Sequence, residues 1–252
     1  ILDDLKEAAN LLPDRPFHVM RPSKNAAYAL LARAYLSMRK YDSAFKYADL
    51  SIKVNSNLLD YNDFDPNSNF PFKRFNSEII FHSNIGPNLF SNTSPSYGKI
   101  DTTLYQSYMP DDLRKALFFR LRVAPATYSF KRLYNGDNNL FVGIANDEVF
   151  LMRAEWNARN GNVDSSMSDL NYLMVRRWKQ GTFVPFTASS KEEALAIILA
   201  ERRKELIFRD LRWMDLKRLN KEGANIILRR FVHNPEYVLL PNSNKYALAL
   251  PA

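Results

Sequence analysis

The densest group of ionisable side chains is Glu201-Arg202-Arg203-Lys204-Glu205, followed closely by Arg212-Trp213-Met214-Asp215-Leu216-Lys217-Arg218. Clustered carboxylates and guanidiniums can shift one another's pKa values and do acid–base work. The spacing points elsewhere. Glu201 and Glu205 stand one helical turn apart, with Arg202 and Arg209 at similar separations, the interval at which opposite charges pair along and between helices. The group reads as a structural ion-pair motif, with Trp213 packed in the core beside it.

Other catalytic constellations are missing. His18, His82 and His233 are far apart and form no His-x-x-x-His pattern, and there is no cysteine, so neither a metal centre nor a bound cofactor is expected. There is no glycine-rich phosphate loop and no Gly-x-Ser-x-Gly elbow. Asp111-Asp112 could supply the two carboxylates of a glycosidase, but neighbours in a strand face opposite ways, and after Pro110 the pair reads as a helix start. No catalytic residue is assigned, and the chain is expected not to be an enzyme.

The positive signal lies in residues 55–147. Between Asn55 and Pro110 stand nine asparagines and ten tyrosines or phenylalanines, with Pro66, Pro71, Pro87 and Pro95. Sugars present apolar C–H faces rimmed by hydroxyls, so a site for them needs flat exposed aromatics and planar amides. Tyr61, Asn62, Phe64, Asn84, Asn92, Tyr97, Tyr105 and Tyr108 supply those types and are the candidate ligand contacts. The competing reading packs these rings into the segment's own small core and spends the asparagines on turns. Tyrosines are the better contacts, having a polar tip for a wet rim.

The elements that must hold this segment are helical. Leu5, Ala8, Ala9 and Leu12 mark one face of a short opening helix that Pro13 ends. Ser23 caps a helix running through Ala26 to Leu36, and a second runs from about Asp42 to Ile52. Their alternation of alanine with tyrosine or leucine lets two antiparallel helices approach closely, with Tyr28, Leu31, Ala32, Tyr35, Ala44 and Ala48 spaced as in a tetratricopeptide unit. The layout returns at Val149 to Arg159, with Gly161 at the turn, Asp164 as the next cap and a helix to about Trp178. A third pair starts at Ser189 or Ser190 and again near Leu211. The expected fold is all-α, with tetratricopeptide-like helical hairpins stacked in a right-handed solenoid and a long mixed loop and short-strand insertion. One domain is expected over 1–252, with helical repeats at about 1–54 and 148–230, a loop-rich ligand-face insertion at 55–147 holding one strand candidate at Glu78 to His82, and an extended tail at 231–252 lying back along the helices.

Composition limits the classes. At 252 residues, 46% hydrophobic and 25% charged, the chain can bury a real core. Thirteen prolines against seven glycines favour ordered loops over flexible linkers. No run reaches the roughly 18 apolar residues of a membrane-spanning helix. The net charge of +8 could mark an anionic partner, but between Glu201 and Arg230 ten basic and five acidic residues interleave, so no nucleic-acid partner is expected. The chain opens on Ile1-Leu2-Asp3-Asp4 without an initiator methionine, which reads as a piece of a longer polypeptide with any targeting signal upstream.

Taken together, Asp4-Leu5 with Ala8 and Leu12-Pro13, Ala26-Ala27 through Leu36, Leu151-Met152-Arg153-Ala154-Glu155, Glu201 to Leu206 and Arg212 to Arg218 resemble the SusD/RagB proteins in type, order and spacing. The Glu-Arg-Arg-x-Glu-Leu helix followed by Arg-Trp-x-Asp-Leu-x-Arg is the most specific part. The resemblance leaves out residues 55–147 apart from Glu78 to Phe81. It implies a surface-exposed lipoprotein of the outer membrane that captures oligosaccharides, or in some branches peptides, without catalysis, and delivers them to a TonB-dependent transporter. It also implies that membrane contact is made only through a lipid anchor upstream of this chain. The family's N-terminal region, with its lipidated cysteine and part of the ligand face, has no counterpart here, and the family continues beyond Leu250-Pro251. The alternative is a tetratricopeptide adaptor without sugar affinity, binding a peptide or protein partner in a groove around Tyr28, Arg33 and Tyr35.

Overall fold

A computed structural model describes residues 1–85, 98–122, 127–131, 134, 136, 139–231 and 235–247. Three helices open the chain: α1 (Leu2–Leu11), α2 (Lys24–Ser37) and α3 (Tyr41–Val54). Ser23 caps α2 by accepting from the Ala26 amide at 3.1 Å. Ala29, Leu31, Ala32, Ala44 and Ala48 are buried between α2 and α3, where small side chains let the two helices lie close. The core they form continues into Val149, Phe150 and Met152 of α6 (Asn146–Arg159), so the first hairpin packs directly on the second.

Gly161 turns α6 into α7 (Val163–Met174) at φ +79°, a left-handed conformation that favours glycine. Asp164 does not cap α7, as its spacing had suggested. The helix starts one residue earlier, and Asp164 sits in its first turn, where a carboxylate favours the positive end of the helix dipole. Ser190 caps α8 (Lys191–Glu205), and Glu193 reaches back to the Ser189 amide at 2.8 Å, a reciprocal capping box. A second core of Leu151, Ala154, Leu170, Leu173, Ala194 and Ile198 joins α6, α7 and α8. The chain then turns through Phe208 and Asp210, both at positive φ, into α9 (Arg212–Asn220). The mostly helical, hairpin-built architecture matches the expected class.

The segment between the first two hairpins holds short helices, α4 (Thr102–Gln106) and α5 (Leu113–Phe118), and three two-stranded antiparallel pairs. β1 (Ile79–Phe81) pairs with β6 (Ile144–Ala145), β2 (Asn84–Ile85) with β5 (Leu140–Phe141), and β3 (Phe119–Arg122) with β4 (Thr127–Phe130). Only β1 was legible in the sequence, because strands of two to four residues carry too little alternation to read. This segment has its own aromatic core, in which Tyr61, Phe72, Tyr108, Phe118, Phe119 and Phe130 meet largely edge-on. Near the C-terminus β7 (Leu228–Phe231) and β8 (Glu236–Leu239) form a hairpin, where the sequence suggested an extended tail from 231.

Candidate ligand-binding face

The Glu201–Glu205 turn of α8 lies at the centre of a buried ion network. Arg114, fully buried, contacts Asp112 at 2.7 Å, Glu201 at 2.6 Å and Glu205 at 3.0 Å. Glu205 also takes Arg177 at 2.6 Å, and Arg177 reaches Glu78 at 2.6 Å and the Leu59 carbonyl at 2.6 Å. Arg209 pairs with Asp147 at 3.0 Å, and Lys204 with Glu201. A second cluster joins Arg202 to Asp215 at 2.9 Å, and Arg218 to both Asp215 and Glu155. Burial tends to raise the Glu205 carboxyl, but Arg177 and Arg114 outweigh it and hold it below the ordinary carboxylate value. Glu78 is pushed up to about 7 by its burial, against the pull of Arg177. These carboxylates are saturated by guanidiniums inside the core, and this arrangement fastens α8 to the inserted segment.

Asp112 caps α5 by accepting from the Arg114 amide at 3.1 Å, the helix start that Pro110 predicted. Arg177, Glu78 and Asp147 were not recognisable as network members, since these partners lie 28 to 99 residues away, and Arg114, although paired locally with Asp112, meets Glu205 across 91 residues. His18 and His82 meet the same Phe75 ring at 4.5 and 4.7 Å, and His233 lies outside the described residues. No group of three metal-ligating side chains occurs among the described residues.

The candidate ligand contacts divide. Tyr61 and Tyr108 are each 1% exposed, so neither ring can serve as the open stacking platform expected of it. Tyr61 lies under the Arg177 guanidinium at 4.1 Å, and the Tyr108 hydroxyl donates to the Lys204 carbonyl at 2.8 Å. The physical reason is that a loop-rich segment of this length needs a core of its own, and the large rings supply it. Phe64 packs half-buried on Phe72. Asn62 is exposed, but its amide donates to the Trp178 carbonyl and accepts from the Gln180 amide, which makes it a tie between loops. Tyr105 is half-buried, stacked on Tyr128 at 3.5 Å with Lys115 over its ring. Asn84 is half-buried in β2. Asn92 and Tyr97 lie outside the described residues.

A cleft of about 740 Å³ runs between the inserted segment and the α8–α9 turn. Ile85, Ile100 and Leu104 line one wall, and Leu206, Phe208 and Trp213 the other. Ile85 follows Asn84, and Leu104 precedes Tyr105. Trp213, expected in the core, is 43% exposed, with one side of its ring against Tyr246 at 4.8 Å. It is displaced outward because the faces of α9 that carry Leu216, Leu219, Asp215 and Arg218 take the buried positions. An exposed indole at the rim of an apolar cleft edged with charge can stack on a flat apolar face while polar groups hold its hydroxyls.

Two family models match the chain. One, described as SusD-like, starch-binding and associating with the outer membrane, covers residues 1–36, and the other, described as the SusD family, covers 146–238. No curated protein sequence matches. A SusD-like carbohydrate-binding protein from Bacteroides vulgatus ATCC 8482 has a similar structure, with TM-score 0.72 and 20% identity over 99% of this chain and 62% of its own. So has a SusD superfamily protein from Bacteroides thetaiotaomicron VPI-5482, with TM-score 0.71 and 23% identity over 98% and 61%. A laminarin-binding SusD-like protein follows, with TM-score 0.65 and 20% identity over 88% and 60%. The chain thus spans 60 to 62% of the length of these three structures. The two sequence matches flank the inserted segment, and the second contains the α6, α8 and α9 framework of the ion network; on these matches the chain belongs to the SusD/RagB family.

Proposed function

We propose that this chain is the ligand-capturing part of a non-catalytic carbohydrate-binding protein at the cell surface, which delivers oligosaccharides to a TonB-dependent outer-membrane transporter. On this reading the protein is a lipoprotein of the outer membrane, and residues 1–252 act as one SusD-like domain. The observation that carries it is the cleft between the inserted segment and the α8–α9 turn, apolar along its walls, with the half-exposed Trp213 ring at its rim. Family membership and the laminarin-binding structural relative support the same ligand class. Among the sequence candidates, Tyr105 and Asn84 adjoin residues that line this cleft, so they remain the candidates from the described segment.

The adaptor reading has less to stand on. Tyr35 is buried and stacked on Tyr47 at 5.6 Å, and Arg33 is held by Glu148 at 2.6 Å and by the Gly143 carbonyl, which leaves a groove partner few free groups there.

Isothermal titration against plant, host and microbial oligosaccharides, repeated with Trp213→Ala and Tyr105→Ala, tests the proposal. At least one glycan is expected to bind, and each substitution to weaken it by roughly threefold to tenfold, the range of a single aromatic contact. Silence across the panel would overturn the reading.

A further inference from the structure

The α8–α9 end of the cleft has an unbalanced charge. Six basic side chains line the cleft against three acidic ones. The acids are largely engaged: Asp215 is held by Arg202 and Arg218, and Asp101 faces Arg203 at 3.6 Å, leaving Asp210 exposed on the turn. Among the bases, Arg202 and Arg212 keep donors that no acceptor takes. Arg202 is 1% exposed and gives only its Nε to Asp215, while Nη1 and Nη2, both buried, have no hydrogen-bond partner. A buried guanidinium edge without partners is costly, and a bound acceptor would relieve it. Arg212 is half-buried and forms no ion pair with a described residue; burial, with Arg203 and Arg202 close by, lowers its pKa. A guanidinium nevertheless stays charged at neutral pH.

The backbone adds to this. α9 begins at Arg212 with Leu211 as its N-cap, and no side chain caps its first amides. Leu211, Arg212 and Trp213 all line the cleft, so the positive end of this nine-residue helix opens beside the two guanidiniums. Arg209, also buried, gives Nη1 to Asp147 and lies over the Tyr134 and Phe141 rings at 4.0 and 4.5 Å; its Nε and Nη2 likewise have no hydrogen-bond partner, but those rings rather than a ligand lie against it.

We propose that this end of the cleft binds an anionic substituent of the captured sugar, a carboxylate or a sulfate ester, through the free edge of Arg202, the Arg212 side chain and the first amides of α9. The ligands are then acidic oligosaccharides, with Trp213 stacking on the ring that bears or adjoins the charge. This inference rests on the glycan-binding reading and narrows it.

The test compares ligands that share a backbone and differ only in charge. Oligogalacturonates are titrated beside their methyl esters for the carboxylate, and sulfated galactan oligosaccharides beside their desulfated forms for the sulfate ester. Inorganic sulfate probes the anion pocket alone. The acidic member of one pair is expected to bind roughly tenfold or more tighter, the scale of one charge-assisted hydrogen-bonding pair. High salt should shrink the difference. Arg212→Gln should abolish it with no fall in melting temperature, and Arg202→Lys, which keeps the charge but loses the fork, should reduce it. Equal binding of both members, or a preference that survives Arg212→Gln, would overturn the anionic site while leaving glycan capture standing. Sulfate binding that Arg212→Gln removes, in a protein that takes no sugar, would overturn glycan capture and with it this ligand class.

Discussion

Arg177 and Glu78 stand 99 residues apart in the chain and meet at 2.6 Å, with both side chains fully buried. The pair ties the end of the α6–α7 hairpin to β1 of the inserted segment, and the same guanidinium holds Glu205 of α8 and lies over Tyr61. Removing one partner of such a pair leaves an uncompensated charge in the core. Arg177→Ala should therefore cost about 3–5 kcal/mol of stability in urea unfolding. Arg177→Lys should recover only part of it, because an ammonium cannot span both carboxylates as the planar fork does. A loss below about 1 kcal/mol would show that the network does not fasten the insertion.

Glu78 sets a pH dependence. Its carboxyl is pushed up to about 7 in the folded protein by burial, from an ordinary 4.5. The folded protein thus holds a proton in this interval that the unfolded chain releases, so the contribution is complete below about 4.5 and is lost as the pH rises through 7. Lowering the pH from about 8 to about 5.5 should stabilise the protein by at most about 2 kcal/mol through this group. Glu155, Glu205 and Asp215 have the opposite sign. Burial opposes ionisation in each, but neighbouring arginines hold them below their ordinary values, so their contribution is present at neutral pH and is lost in acid. The melting temperature should pass through a maximum in weak acid, and Glu78→Gln should flatten its alkaline side.

The two kinds of tyrosine in the inserted segment should separate by experiment. Tyr61→Ala removes a fully buried ring and should cost about 3–5 kcal/mol. Tyr108→Phe deletes only the bond to the Lys204 carbonyl, worth about 1 kcal/mol. Tyr105→Ala, at a half-buried stack, should lower the melting temperature less than Tyr61→Ala. Thermal melts of the three variants, run beside glycan titrations, check the order.

Gly143 lies between β5 and β6, where an added Cβ would sit 2.1 Å from the Phe81 carbonyl oxygen and 2.7 Å from the Phe141 ring. Its own carbonyl accepts from Arg33 at 2.6 Å. Gly143→Ala should destabilise by about 1–3 kcal/mol or more, the range of an overpacked core, and loosen the contact of the first hairpin with the inserted segment. Urea unfolding monitored by tryptophan fluorescence would measure it.

The sequence by itself determined the helical framework. Alanine and large apolar residues at helical spacing, Ser23 and Ser190 as caps and Gly161 at a left-handed turn are local signals, and each element formed where its own side chains required. That Glu201 to Arg218 form a structural ion-pair group was legible, but helical spacing supplied only the Lys204–Glu201 and Arg218–Asp215 pairs, while Arg202 and Arg209 went to Asp215 and Asp147 instead of Glu201 and Glu205. Tertiary structure alone decided the rest. Arg177 finds Glu78 and Glu205, and Arg114 finds Glu201 and Glu205, through long-range packing, which no window of sequence contains. The same aromatic residues can line a ligand face or fill a core, and burial chose the core for Tyr61 and Tyr108 while turning Trp213 outward, because the opposite side of α9 was taken by buried leucines and ion pairs. The cleft itself exists only where the inserted segment meets the α8–α9 turn, between surfaces about a hundred residues apart in the chain.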